Sequence, residues 1–170
     1  MKAQIDKTLM STAIETIEKL AFMFSFPDEE RLEAFPGPAI AAKVGFNGLF
    51  SGSLALRMSS SALTELTVNM LGLDDEAETN EEMQLDAFKE LLNVLCGNLL
   101  PALAGVEAEF GIDTPQVIND DGENQKIDFQ QAASIVRLMF EDGHCDLVLF
   151  IDGPLPENIG FNTAEASSAS

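Results

Sequence analysis

The chain has 170 residues, of which 46% are apolar and 12 are Phe; it can bury a real core, which excludes disorder over most of its length. Lys and Arg number 9 against 29 Asp and Glu, and the resulting net charge of −20 repels phosphate backbones and anionic lipid, arguing against nucleic-acid and membrane-surface partners. Cys96 and Cys145, with no CxxC, neither staple a secreted domain nor build structural zinc, and no stretch approaches the roughly 18 apolar residues of a membrane span.

The opening MKAQIDKTLMSTAIETIEKL contains no unbroken apolar run of the signal-peptide kind, so a cytoplasmic, reducing location is expected. Ile5, Leu9, Ala13, Ile17, Leu20 and Phe24 recur at three and four positions and predict one helix stripe facing a core, closed by Pro27. Ala39 to Ser59 alternates with period two around Asn47-Gly48 and predicts a hairpin. Ser59-Ser60-Ser61 offers an N-cap for a short helix ending near Gly72. An acidic loop from Leu73 to Glu82 leads into a strongly apolar helix, roughly Glu82 to Leu100, which Pro101 limits or kinks.

Beyond it the sequence predicts a strand from Gly105 to Ile112, a polar stretch through Asn124, and a second hairpin, Ala132–Glu141 and Cys145–Asp152, about Asp142-Gly143. The order helix, hairpin, helix, hairpin suggests a pseudo-two-fold repeat and an α+β fold, an antiparallel sheet with helices on one face. Residues 1–153 are expected to form one domain. Pro154 to Ser170 reads as a flexible tail.

The most informative segment is the central helix, Asp86 to Pro101. With Asp86 at 0°, Glu90 falls at about 40°, Asn93 at about −20° and Gly97 at about 20°, while Leu85, Phe88, Leu92, Leu95 and Leu99 occupy the opposite side. Asp86, Glu90, Asn93 and Gly97 thus form a narrow polar line. A carboxamide does not titrate, so Asn93 is no general base, but it donates and accepts together and suits holding a water in one orientation. Glu90 can pair with a cation on a partner, and Gly97 leaves room for another protein's backbone. On pattern alone such a line is also what a solvated helix face looks like, with Lys89 beside it; a mid-helix Gly, costing about 1 kcal/mol against Ala, asks for a further reason.

Asp86-x-x-x-Glu90-x-x-Asn93-x-x-x-Gly97 followed by Pro101 resembles the signature of the CheC/CheX/FliY phosphatases of bacterial chemotaxis, over roughly Met1 to Gly153. The resemblance implies hydrolysis of the aspartyl phosphate of a CheY-type receiver domain. Glu90 would pair with the receiver's invariant lysine and Asn93 would orient the attacking water, with Asp86 accessory; Mg²⁺ would be held by the receiver and no cofactor by this chain. The first helix of two-site members carries the same Glu-x-x-Asn; here it reads Glu15-Thr16-Ile17-Glu18, with an acid that would repel a phosphoryl group. A single site is therefore expected, closest to the CheX type, whose members pair as homodimers. A non-catalytic receiver-binding or flagellar-switch-like adaptor is the alternative, and a plain dimerising structural domain a weaker third.

Other constellations offer less. His144 stands alone and is expected in an exposed turn, not in a metal site or triad. The glycines of Gly45-Phe46-Asn47-Gly48 and Gly52 match no phosphate-cradling pattern, and Asp74 to Glu82 lacks the EF-hand ligand order. Cys96 reads as a buried thiol; Phe22, Met23, Phe24 and Phe26 read as core or dimer contacts.

Overall fold

The computed structural model describes residues 1–74, 78–118, 127–156 and 159. Among these residues three α-helices, α1 (Lys2–Ala21), α2 (Ser60–Leu71) and α3 (Glu81–Ala104), accompany seven strands. These are β1 (Phe26–Pro27), β2 (Ala39–Gly48), β3 (Ser51–Ser59), β4 (Phe110–Ile112), β5 (Gln116–Ile118), β6 (Ser134–Phe140) and β7 (Gly143–Asp152). All strand pairings are antiparallel, in the order β1-β6-β7-β3-β2-β4, with β5 on the same side of β2 as β4.

The pseudo-two-fold repeat is visible in that order. The hairpins β2–β3 and β6–β7 meet through their second strands, with Ala55 opposite Val148, so the sheet reads alike from either side of that seam. Each long helix crosses over: α1 packs on β6 and α3 on β2, each resting on the hairpin of the other half. The core lies between sheet and helices. Alternate residues of the strands point into it (Ala42, Val44 and Phe46; Leu54, Leu56 and Met58; Val136 and Leu138; Cys145, Leu147 and Leu149) and meet Leu9, Ala13 and Ile17 of α1 and Leu92, Leu95 and Leu99 of α3. Leu or Ile at such positions is worth about 1.5–3 kcal/mol each on burial, so these stripes fix which way each helix faces.

The opposite sheet face is covered at one end by the segment 28–38. Asp146 is fully buried there, with Arg31 at 2.7 Å and Arg137 at 3.1 Å. Arg57 donates to the Phe35 carbonyl at 2.9 Å and lies over the Phe35 ring. The chain's three arginines are thus all drawn into one place. Burial alone would lower the Arg31 guanidinium, but its hydrogen bonds to Asp146 and Asp28 outweigh that and raise it.

Several local expectations are refined. α1 stops at Ala21, where Phe22 adopts a left-handed cap (φ 52°), and not at Pro27, which pairs in β1. The chain then runs extended, so Met23 and Ser25 turn inward while Phe22, Phe24 and Phe26 stand exposed; Phe24 leaves the helix stripe. Gly72 caps α2 at φ 65°, yet Ser59 makes no side-chain cap; its hydroxyl accepts from the His144 N–H at 2.9 Å. α3 continues through Pro101 to Ala104, because Leu103 and Ala104 still bury and offset the bond to Gly97 that Pro101 cannot make and the crowding of its ring against that carbonyl. The predicted strand from Gly105 shrinks to β4, and β5 emerges from the polar stretch, residues 119–124 of which lie outside the described residues. Of the expected tail, residues 157–158 and 160–170 also lie outside them, while Leu155 and Ile159 pack against the core. No helix among the described residues is long and apolar enough to cross a membrane.

Candidate functional site

Asn80 begins α3 by accepting from the Met83 N–H at 2.8 Å, and Glu81 and Glu82 sit in its first turn, where the helix dipole favours acids. From that start the apolar residues seat α3 on the sheet: Phe88, Leu91, Leu92, Leu95, Leu99 and Leu100 are buried. The opposite side cannot also face inward. Asp86, Glu90, Asn93 and Gly97 are all exposed and follow one another along the outer surface.

Neither Glu90 nor Asn93 makes a hydrogen bond or ion pair among the described residues. Both functional groups are free for something outside this subunit. A methyl group built on Gly97 would meet nothing within 4 Å, so packing inside the chain does not demand glycine there. Its carbonyl, without the Pro101 N–H, also keeps spare acceptor capacity.

Asp86, Lys89, Glu90 and Asn93 form one wall of an open depression of about 530 Å³. Ile112, Asp113, Thr114 and Pro115 form the other. The second wall comes from β4, which pairs with β2 (Phe46 opposite Ile112) and swings the following loop toward α3; the Asp113 N–H donates to the Gly45 carbonyl at 2.9 Å. A Cβ on Gly45 would lie 2.6 Å from an oxygen of the Asp113 carboxylate, which a rotation of that side chain would relieve. Nothing local in the sequence joins Asp113 to Glu90. Their proximity is a product of strand register.

The corresponding surface of α1 is different. Glu15 and Glu18 are exposed, and Glu15 borders a groove of about 560 Å³ between α1 and α3. Asn98, the second asparagine of α3, is used internally, donating to the Thr16 hydroxyl at 3.0 Å. His144 stacks on Phe35 (centroids 5.6 Å apart), with Nδ1 3.6 Å from Asp28, so it lies in the arginine cluster on β7 and not in a free turn. Burial pushes the Cys96 thiol up to about 12 and raises Cys145 as well, which keeps both neutral. No three His, Cys, Asp or Glu side chains converge as a metal site among the described residues.

The family model described as "Chemotaxis phosphatase CheX" matches residues 40–141. No curated protein matches the chain. Among solved structures, the chemotaxis protein CheX from Desulfovibrio desulfuricans is 18% identical over 87% of this chain and 99% of that one, at a TM-score of 0.66. The CheX-CheY-BeF3-Mg²⁺ complex from Borrelia burgdorferi gives 20% identity over 86% of this chain and 97% of that chain, at 0.63. Thermotoga maritima FliY gives 17% over 86% of this chain and 88% of that one, at 0.57. These likenesses establish a shared fold, and the family model covers the sheet's central hairpin, α2 and the whole of α3 with its polar line. The chain belongs to the CheX family.

Proposed function

We propose that the chain is a CheX-type phosphatase that hydrolyses the aspartyl phosphate of a CheY-like receiver domain in the cytoplasm, with one site per subunit. The observation that carries the reading is the exposed, internally unbonded pair Glu90 and Asn93 on the outer line of α3. The family's description and the complex from Borrelia burgdorferi with CheY support the choice of partner.

Glu90 anchors the receiver through its lysine. Asn93, less than one helical turn further on, then projects into the receiver's site, its carbonyl accepting from a water and its N–H₂ donating to a neighbouring acceptor. The water oxygen forms the new bond to phosphorus, the P–O bond to the aspartate breaks, and the carboxylate leaves with the electron pair. The water's proton ends on phosphate or solvent. Holding the water in line is worth on the order of 10² in rate or more. Mg²⁺ on the receiver neutralises phosphoryl oxygens; the residues of this chain supply only docking and orientation. Glu18, at the place where a second amide would stand, leaves α1 without this function.

A homodimer belongs to the same reading. Phe22, Phe24 and Phe26 are exposed, and Phe26 pairs with the exposed Met139 at the β1 edge; apolar side chains there suit a contact between two copies of a chain of −20. Sedimentation would read it.

The deciding experiment adds substoichiometric protein to a phosphorylated receiver and follows phosphate release. Shortened receiver lifetime with multiple turnovers is expected. A lifetime unchanged or lengthened in proportion to added protein would make the chain an adaptor.

A further inference from the structure

Lys89 is the one cation among the residues lining the depression, beside Asp86, Glu90 and Asp113. It is half-buried and makes no ion pair or hydrogen bond among the described residues, although Asp86 lies three positions before it on the same helix. An i,i+3 pair was available and is not made.

Its position on the helix is specific. At 100° per residue Lys89 stands about 40° to one side of Asn93 and Glu90 about 60° to the other, so the amide lies between an acid and a base. Side chains four apart have Cβ atoms roughly 5–6 Å from each other. A lysine is long enough for its ammonium to meet the same tetrahedral group that an amide at Asn93 reaches through water. The surroundings need such a charge: three carboxylates around the depression, on a chain of −20, oppose the approach of a phosphoryl dianion.

We propose that Lys89 is a further catalytic residue, its ammonium contacting an oxygen of the phosphoryl group on the partner while Glu90 holds the partner's lysine. This rests on the phosphatase reading above and deepens it. Lys89 forms no bond to phosphorus and moves no proton; it offsets negative charge where the P–O bond breaks. The contact exists only when a phosphoryl group is present, unlike a docking contact to the receiver's own side chains.

That difference supplies the test. Affinities of wild type, Lys89→Gln, Lys89→Arg and Glu90→Lys are measured for a CheY-type receiver from the same organism, unloaded and loaded with beryllofluoride and Mg²⁺. Lys89→Gln should cut the preference for the loaded receiver about tenfold or more, as for a charged hydrogen bond, leave unloaded binding unchanged, and slow turnover. Lys89→Arg should restore most of the preference. Glu90→Lys should weaken both states alike. Equal weakening of both states by Lys89→Gln would make it a docking residue, and no change in either a solvated one; each overturns the proposal. If wild type binds the loaded receiver without turnover, the phosphatase reading fails while the ratio still judges Lys89. If wild type binds neither, both fall.

Discussion

Asn93→Ala separates activity from stability, and the structure sets both magnitudes. Asn93 is exposed and unbonded within its subunit, so truncation removes no internal contact and leaves no cavity. Ala exceeds Asn in helix propensity by up to about 0.7 kcal/mol. The variant should therefore be as stable as wild type or slightly more so, a shift of about 1–3 °C for a chain of this size. Turnover is another matter. Losing an oriented water should cost on the order of 10² in rate, or about 2.7 kcal/mol of barrier. Affinity for the receiver should stay close to wild type, since Glu90 is untouched. The assay is phosphate release at several receiver concentrations, with thermal unfolding of the same preparations. Turnover equal to wild type would falsify the mechanism; so would lost turnover accompanied by several kcal/mol of lost stability, which would mean that the amide supports the fold.

Glu90→Lys should lower receiver affinity at least tenfold, by replacing an attraction with a like-charge contact, while thermal unfolding moves little; calorimetric titration reads the former. Gly97→Phe should fold, since Gly97 is exposed and a Cβ there meets nothing within 4 Å, yet block the partner's approach; Gly97→Ala should bind and gain about 0.5–1 kcal/mol. Retained affinity in the Phe variant would remove Gly97 from the interface. Asp146→Asn removes a fully buried carboxylate from between Arg31 and Arg137, leaving Arg31 only Asp28, and should cost about 3–5 kcal/mol in urea unfolding; a loss below about 1 kcal/mol would show that the cluster is effectively hydrated. The thiols predict an alkaline effect. Unfolded cysteines ionise near pH 8.5, whereas in the fold burial pushes Cys96 up to about 12 and Cys145 upward too. Above about pH 8.5 the unfolded state then binds fewer protons, so stability falls as pH rises, by at most about 1.4 kcal/mol per unit for each thiol. Cys96→Ala should flatten the decline between pH 9 and about 11, and an unchanged slope would count against burial as its cause.

Of the fold and the site, whatever depends on neighbours in the chain was legible in the residues alone. The 3.6-residue period of α3 puts Phe88, Leu92, Leu95 and Leu99 on one side and Asp86, Glu90, Asn93 and Gly97 on the other before any tertiary contact exists, and two hairpins follow from period-two runs. Tertiary structure decided what depends on register and crossing. Asp113 joins Glu90 only because β4 pairs with β2; Arg57 and Arg137 flank Asp146 because β3 and β6 pair with β7 in that register, and Arg31 reaches it because the segment 28–38 folds over the far sheet face. Likewise the phenylalanines after α1 were legible as apolar, but not as exposed, since a single left-handed residue at Phe22 switched the period from helix to strand. Local periodicity is set by backbone geometry one turn at a time, while long-range pairing is chosen by the burial of the whole core, to which any one residue contributes only a few kcal/mol.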